Sequence, residues 1–163
     1  MILLGLGANL PSAAGPPVAT LEAALARLQS TGVVLVERSR WYRTAPVPAS
    51  DQPWFVNAVA RVETRLGPME LLVLLQEIER SFGRRRATLN EARTLDLDIL
   101  DYDGQILKTA GLVLPHPRLH QRAFVLLPLR EVAPDWRHPL LGETVSMLIA
   151  KLPADQVAMP FTP

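Results

Sequence analysis

The sequence predicts an α+β fold, a ferredoxin-like sandwich in which helices pack on a mainly antiparallel sheet. Short segments with alternating apolar and polar residues are typical of strands, and longer segments with apolar residues every three or four positions are typical of helices. These segments follow one another as strand, helix, strand, strand, helix, strand, which is the order of a split β-α-β motif. A chain of 163 residues can bury one core, so we expect a single domain over residues 1–163.

Local patterns predict the elements of the first half. Residues 1–7 are almost entirely apolar, as in a buried strand. Pro17 suits the first turn of a helix whose apolar stripe ends before Gly32. Alternation then predicts strands over residues 33–43 and 54–64, which a loop with three prolines separates.

The second half begins with the most regular helix. Its apolar stripe contains Leu71, Leu74, Leu75, Ile78 and Phe82. A strand over residues 93–102 and an Asp-Gly turn follow, and we expect residues 105–107 to return as the other half of a hairpin. Helices over about 119–132 and 144–152 precede a tail bounded by prolines.

The composition excludes several classes of protein. Hydrophobic residues make up 48% of the chain and charged residues 20%, which is typical of globular and not of disordered proteins. No apolar run reaches the ~20 residues of a membrane span, and we expect no signal peptide because no basic segment precedes the first apolar run. The absence of cysteine excludes disulfides and thiolate metal sites and fits the cytoplasm. The net charge of +1 argues against a general nucleic-acid or membrane-surface binder.

Asp96 and Asp98 alternate with apolar residues in the stretch RTLDLDIL. Residues two apart in a strand point to the same face, with Cα atoms about 6.5 Å apart. Two adjacent carboxylates repel each other unless positive charge lies beside them, and Mg²⁺ is bound in proteins by one or two carboxylates together with substrate phosphate oxygens. The pair therefore predicts a magnesium site, and a solvated acidic strand face is the alternative.

An arginine-rich loop directly precedes this strand. Its cations, together with one at the end of the preceding helix, are Arg80, Arg84, Arg85, Arg86 and Arg93. Guanidinium groups bind phosphate, so arginines beside metal-binding carboxylates are typical of a phosphoryl-transfer site. The alternative is a solvated basic loop that pairs with the aspartates.

Other catalytic motifs give little support to other reactions. The chain has no G-x-x-x-x-G-K-[ST], and GLGANL lacks the third glycine of a dinucleotide-binding motif, so Gly5 and Gly7 indicate the end of a strand. His116 lies between two prolines and is held rigidly, either as a ligand to a substrate or as a simple loop residue. No nucleophile-elbow motif supports acyl transfer.

Five segments together resemble a known enzyme family. They are SRWYRTAP, DQPWFVNAV, LLQEIERSFGRRR, RTLDLDIL and PHPRLHQRAFVLLPLREVAP, and they match in order from Gly7 to about Pro134. The family is 6-hydroxymethyl-7,8-dihydropterin pyrophosphokinase. The resemblance implies a ferredoxin-like fold, transfer of pyrophosphate from ATP to the hydroxymethyl group of the reduced pterin with release of AMP, two Mg²⁺ ions, and a role in folate biosynthesis.

The resemblance also implies residue roles. The catalytic positions would be Arg84, Arg93, Asp96 and Asp98, of which the two aspartates would bridge both Mg²⁺ ions. The ATP-binding positions would be Gln76, Glu79, Arg86, Ile99, His116 and Arg122. The pterin-binding positions would be Thr44, Ala45, Val47, Phe55, Asn57 and Phe124. An amide can bond a pterin edge and two aromatic rings can sandwich it, whereas core packing and a turn amide are the alternatives for these residues.

The sequence departs from the family pattern at two places. Ala8 replaces the serine of a Gly-Ser-Asn motif. The loop before the aspartates lacks the family's tryptophan and Gly-Pro, has Leu89-Asn90-Glu91-Ala92 at that position, and is one residue shorter. The first departure removes any role of a hydroxyl group at position 8. The second removes an aromatic contact of the loop, which the resemblance implies is a mobile lid over the site, and leaves the expected metal and phosphate chemistry in place.

The expected partners are ATP and the reduced pterin, with no nucleic acid and no membrane, and the chain is expected to be a monomer. Another Mg²⁺-dependent kinase or a nucleotidyltransferase is one alternative. A ferredoxin-like RNA-binding module is another, although the chain lacks an RNP1 motif and its charge is nearly balanced.

Overall fold

Strands and helices alternate through most of the chain, and the computed structural model describes residues 1–83 and 92–163. The strands are Ile2–Ala8 (β1), Val34–Arg38 (β2), Trp41–Thr44 (β3), Phe55–Glu63 (β4), Asp96–Tyr102 (β5), Leu107–Lys108 (β6), Val113–Leu114 (β7) and Ala158–Phe161 (β8). The helices are Pro17–Ser30 (α1), Pro68–Ser81 (α2), Ala123–Val132 (α3) and Val145–Ala150 (α4), with a 3₁₀ turn at Leu119–Gln121. None of the helices in these two ranges is long and apolar enough to cross a membrane.

Six of the strands form one antiparallel sheet. Its order is β5–β1–β4–β3–β8, and β2 also pairs with β4. The first crossover is β1–α1–β2 and the second is β4–α2–β5, so two split β-α-β units interleave with β1 and β4 at the centre. The predicted ferredoxin-like α+β class is confirmed.

The two faces of the sheet pack against different helices. Leu4 and Leu6 of β1 lie in one apolar cluster with residues of α1 and α2, whereas Leu3 lies in a second cluster with residues of α3 and α4. This division follows from the alternation of side chains along a strand. Gly5 and Gly7 follow Leu3 on the second face, and there they line a cleft instead of packing against a helix.

The strand expected over residues 33–43 is interrupted at Ser39. Its hydroxyl accepts a hydrogen bond from the N–H of Val59 at 3.0 Å, and its own N–H donates to the Val59 carbonyl at 2.9 Å. Because Ser39 bonds β4 through its side chain as well as its backbone, the regular ladder stops there. β2 and β3 consequently pair with different parts of β4.

The expected hairpin between β5 and residues 105–107 is wrong. The Asp-Gly turn does form, with φ of 52° at Asp103 and 69° at Gly104, but β6 pairs with β7 instead of β5. The backbone of β5 has other partners: the Leu97 N–H donates to the Glu79 carboxylate, and the Leu100 carbonyl accepts from the His116 N–H. The chain after the turn therefore completes a separate two-stranded ribbon.

The proline-bounded tail also forms a strand, which the sequence did not predict. β8 pairs with β3 at the edge of the sheet, where Pro160 can be accommodated because an edge strand leaves one row of N–H groups unused. The side chain of Gln156 reaches the start of α3, accepting from the Ala123 N–H and donating to the Gln121 carbonyl, each at 2.8 Å. The tail thus satisfies backbone groups at the 3₁₀ turn and at the first turn of α3.

We expect Gln156→Ala to lower the free energy of unfolding by about 1–2 kcal/mol, because it removes a cap-like bond and a second backbone bond. Urea denaturation followed by circular dichroism measures this change. Gln105→Ala is the matched control, since Gln105 is exposed and its side chain has no hydrogen bond in the described structure; we expect a change within about 0.5 kcal/mol. Equal stability of the two variants would contradict the assigned role of Gln156.

Candidate active site

A cleft opens on the part of the sheet that α3 and α4 leave uncovered. The space between its walls, open solvent included, is about 760 Å³. The predicted site residues that line it are Thr44, Ala45, Val47, Phe55, Asn57, Arg93, Asp96, Asp98, His116, Arg122 and Phe124. Positions far apart in the sequence are therefore brought to one cleft.

β1 forms the floor of this cleft. In the strand register, Gly7 lies opposite Asn57 on β4 and opposite Asp96 on β5. Gly5, two residues earlier, lies opposite Asp98 on β5. Since paired residues in a sheet share a face, the amide and both carboxylates project to the same side across two glycines that add no side chain between them.

The two aspartates are compensated by cations. Asp96 and Asp98 are both half-buried, and Arg93 forms an ion pair with Asp96, with 2.7 Å between Nη1 and Oδ2. The Arg93 guanidinium carbon also lies 5.9 Å from the centre of the Phe55 ring. The repulsion expected from the sequence is thus offset by an arginine that also borders the aromatic part of the cleft.

Arg122 and Phe124 also line the cleft. Arg122 has an extended backbone, with φ of −121° and ψ of 114°, and this separates the 3₁₀ turn from α3, so the helix expected over about 119–132 is two pieces. The Arg122 guanidinium carbon lies 5.3 Å from the centre of the Phe124 ring. Burial lowers the pKa of Arg122, an effect that the carboxylate of Asp98 opposes. The guanidinium remains charged at neutral pH because its ordinary pKa is so high.

His116 is neutral in this setting. Burial above all, and then the charge of Arg122, lower its pKa to about 4. Its Nδ1 accepts a hydrogen bond from the Arg118 N–H at 3.2 Å, so the proton of the neutral ring is on Nε2. The ring therefore offers a fixed N–H donor to a ligand.

The Asn57 amide has a defined orientation. It is 7% exposed, and its Nδ2 donates to the Thr44 hydroxyl oxygen at 2.6 Å. Thr44, Ala45 and Val47 form the wall beside it, and Phe55 lies two residues away on the same strand face. The arrangement offers one polar edge and aromatic surface to a flat ligand.

Asn9 connects two walls of the cleft, and sequence reasoning missed this role. Its side-chain Nδ2 donates to the Gln52 side chain at 2.8 Å and to the Pro53 carbonyl at 2.9 Å, and its Oδ1 accepts from the Arg93 N–H at 2.8 Å. The Asn9 N–H donates back to the Arg93 carbonyl at 3.0 Å. One buried amide thus joins the loop before Phe55 to the residue that pairs with Asp96.

Three predicted ATP-binding residues are not among those that line the cleft. Ile99 is 3% exposed and packs in the core under α1 and α2, and the buried Glu79 carboxylate accepts from the Leu97 N–H at 2.9 Å. Gln76 is half-buried on α2. Residues 84–91 lie outside the described residues, and they include Arg84, Arg85, Arg86 and all of the expected lid loop of residues 83–92 except its two ends.

The cleft also fits a magnesium ion. Among residues 1–83 and 92–163, no group of three or more His, Cys, Asp or Glu could hold a metal, which excludes a cage built from protein ligands alone in that part of the chain. Two half-buried carboxylates on one face match the other mode, in which Mg²⁺ takes one or two carboxylates and completes its shell with water and substrate phosphate. Asp96 and Asp98 are the residues that would hold it.

Comparison with known proteins identifies the family. Residues 3–134 match the family model described as 7,8-dihydro-6-hydroxymethylpterin-pyrophosphokinase (HPPK). The chain belongs to the HPPK family. The resemblance inferred from the sequence is confirmed.

HPPK relatives match along most of the chain. The 2-amino-4-hydroxy-6-hydroxymethyldihydropteridine pyrophosphokinase of Methylorubrum extorquens is 43% identical over 150 residues, which cover 91% of each protein. The protein of the same name from Synechocystis is 40% identical over 151 residues, 92% of this chain and 75% of that protein.

A solved structure shares the fold. The crystal structure of wild-type Plasmodium falciparum HPPK-DHPS with pteroate superposes with a TM-score of 0.72 at 16% identity. It covers 92% of this chain, and this chain spans less than half, 44%, of that longer one. At this identity the likeness shows the fold.

Sequence reasoning did not find the role of the two glycines in the cleft floor or the link made by Asn9. By themselves, Gly5 and Gly7 indicate the end of a strand. Two glycines on one strand face next to a D-x-D strand also indicate a place where a ligand approaches the backbone. The partners of Asn9 lie more than 40 residues away along the chain. No local sequence pattern predicts such contacts.

We expect Asn9→Ala to lower the free energy of unfolding by about 1–3 kcal/mol, because it leaves buried groups of three segments without a partner. Asn9→Asp should lower it at least as much as Asn9→Ala, because one oxygen of the buried carboxylate would face the Gln52 and Pro53 oxygens that now accept from Nδ2. Urea denaturation of all three proteins gives the order. A change below about 0.5 kcal/mol in Asn9→Ala would contradict the linking role.

We expect the His116 ring of the metal-free protein to titrate near pH 4 instead of near its ordinary value. The unfolded chain takes up this proton at higher pH than the folded one, so the His116 contribution lowers stability as the pH falls from about 6.5 to 4. An NMR titration of the imidazole signals measures the pKa, and His116→Gln assigns the signal by removing it. A midpoint near pH 6.5 would contradict the burial of this ring.

Proposed function

We propose that this chain transfers a pyrophosphoryl group from ATP to the hydroxymethyl group of 6-hydroxymethyl-7,8-dihydropterin and releases AMP, as a step of folate biosynthesis. One observation carries the proposal: a single cleft is lined both by a carboxylate and guanidinium cluster and by a buried amide and two aromatic rings. The first part suits the phosphates of ATP and the second suits a flat heterocycle with hydrogen-bonding edges.

The pterin would occupy the end of the cleft near Asn57. The Asn57 amide can donate to and accept from the ring edge, and Thr44 keeps that amide oriented. Phe55 and Phe124 would contact the two faces of the ring, and Ala45 and Val47 would close its side. We propose this direction because the hydroxymethyl group then points toward Asp96 and Asp98.

The triphosphate would occupy the end near the aspartates. Asp96 and Asp98 would hold Mg²⁺, and we propose two ions. Bound Mg²⁺ supplies charge neutralisation to the phosphates and orients them. Arg93 and Arg122 would bond phosphate oxygens through their forked N–H groups, and the neutral His116 would donate through Nε2.

The reaction needs positioning more than covalent catalysis by the protein. The hydroxymethyl oxygen attacks the β-phosphorus of ATP, and the bond from that phosphorus to the oxygen it shares with the α-phosphate breaks. AMP leaves with that oxygen, and the hydroxyl proton passes to the released phosphate or to water. Arg93 and Arg122 border both parts of the cleft, one beside Phe55 and the other beside Phe124. They can therefore hold the transferred group against the hydroxyl as charge redistributes.

The remaining residue roles stay predictions that rest on the resemblance. Gln76, Glu79 and Ile99 do not line the described cleft, and Arg84 and Arg86 lie outside the described residues. Glu79 could act through β5, since its carboxylate bonds the backbone of Leu97, between the two aspartates.

We also propose that residues 1–163 form one domain that works as a monomer in the cytoplasm. β8 extends the main sheet and α4 packs in the second apolar cluster, so the segment after residue 134 is part of the same fold. The balanced charge and the absence of cysteine fit this setting.

The test is to incubate the protein with ATP, Mg²⁺ and 6-hydroxymethyl-7,8-dihydropterin and to identify the products by chromatography. We expect AMP and the pterin diphosphate, whereas ADP would indicate an ordinary kinase. Asp98→Asn should lower the turnover by a factor of about 10² or more, because metal charge stabilisation is worth several kcal/mol. Asp135→Asn, at an exposed aspartate outside the cleft, should retain it. Absence of AMP with the natural chain, or normal turnover of Asp98→Asn, would refute the proposal.

A further inference from the structure

The central position of the cleft floor is held by Gly7. It lies on β1 between Asn57 and Asp96, its neighbours in the register on either side. A Cβ atom placed on Gly7 would lie 2.6 Å from the Oδ1 atom of Asn57, a distance that real Cβ contacts essentially never show. The next nearest atoms are the Asn57 side-chain carbon at 3.7 Å and the Val56 carbonyl at 3.9 Å, with none from Asp96.

Backbone conformation does not explain the glycine. The glycines with a positive φ in the described residues are Gly15, Gly32, Gly83, Gly104 and Gly142, and Gly7 is not one of them. Gly7 has regular strand pairing on both sides. Glycine is therefore needed at position 7 because a side chain would not fit there, and not because of its backbone conformation.

The Asn57 amide needs that space. It is buried and bonded to the Thr44 hydroxyl at 2.6 Å, and its Oδ1 lies directly over Gly7. A methyl group at position 7 would force the amide to turn, which breaks the Thr44 bond and moves the oxygen away from its place on the cleft wall. The amide is at the end of a short side chain, so the fold can accommodate the turn while the site loses its polar edge.

We propose that Gly7 determines specificity for the pterin, by leaving the space in which the Asn57 amide presents its donor and acceptor to the ring. The inference rests on the proposed function. Gly7 acts through Asn57 and not through the phosphates, so its replacement should affect the heterocycle end of the cleft and spare the ATP end.

Gly5 offers a comparison on the same strand face. The three atoms nearest to a Cβ there all belong to the Leu100 side chain, at 3.3 to 3.6 Å, and none belongs to Asn57. Leu100 presents no hydrogen-bonding group. Gly5→Ala narrows the floor as Gly7→Ala does but leaves the Asn57 amide in place.

The experiment is a double-mutant cycle with Gly7→Ala, Asn57→Ala and the variant with both changes. Calorimetry with 6-hydroxymethylpterin in saturating Mg²⁺ and a non-hydrolysable ATP analogue gives the pterin Kd, and a second titration gives the Kd of the analogue. We expect Gly7→Ala to raise the pterin Kd by about tenfold or more, the loss expected when a ligand's hydrogen-bonding partner is displaced. The Kd of the analogue should change by less than about twofold, and Gly5→Ala should raise the pterin Kd less than Gly7→Ala.

The cycle separates displacement of Asn57 from simple crowding. If Gly7→Ala acts through Asn57, it adds no further loss once Asn57→Ala has removed the amide, so the two effects are not additive. Additive losses, or an equal loss in Gly5→Ala, would overturn the inference. If Gly7→Ala alone does not fold while the double variant does, Asn57 is still shown to be the group that the new methyl meets.

The NMR signal of the Asn57 side-chain amide distinguishes a failure of this inference from a failure of the proposed function. In an NMR spectrum, the Asn57 side-chain NH₂ signal, assigned by its loss in Asn57→Ala, should shift in Gly7→Ala and stay in place in Gly5→Ala. An unmoved signal would overturn the inference while leaving the pyrophosphokinase function intact. Failure of the natural chain to bind the pterin would refute the function, and with it the role of Gly7 in pterin specificity.

Discussion

The cross-strand register of β1 with β4 and β5 is the constraint on which the cleft depends. It places Gly7 between Asn57 and Asp96 and sets Gly5 opposite Asp98. A slip of one residue would turn these side chains to the opposite face, into the core under α1 and α2. The buried leucines of β1 prevent such a slip, because Leu4 and Leu6 pack on one face and Leu3 on the other. The same apolar alternation that forms the core therefore positions the polar groups of the site.

Charge in the cleft is arranged as a compensated cluster. Arg93 pairs with Asp96, and burial lowers the pKa of Arg122 while the nearby aspartates oppose that effect. Each of these arginines also lies beside an aromatic ring, Phe55 or Phe124. A ligand with phosphates and a flat ring can satisfy the guanidinium groups and the ring faces together, because the two kinds of surface adjoin on both walls.

The walls of the cleft are held by groups distant in the chain. Asn9 joins the loop before Phe55 to the backbone of Arg93, and Gln156 bonds the backbone on both sides of Arg122. Ser39 bonds β4 between the end of β2 and the start of β3, the strand that ends at Thr44 in the cleft. Hydrogen bonds from the side chains of Asn9, Ser39 and Gln156 to backbone groups thus hold segments that strand pairing alone does not connect, which keeps the site geometry rigid.

The sequence by itself determined the class of the fold, the family and most of the residues that line the cleft. Periodicity reports which face of an element is buried, so the two split β-α-β units and the shared face of Asp96 and Asp98 could be inferred locally. Tertiary structure decided where those faces meet. The pairing of β6 with β7, the strand formed by the tail and the links made by Asn9 and Gln156 depend on partners that no local pattern specifies. The role of Gly7 is the clearest case. In the sequence, a glycine in a strand shows only that a side chain is missing. The group that fills the space is the Asn57 amide, which lies 50 residues later and is brought over Gly7 by the register of the sheet.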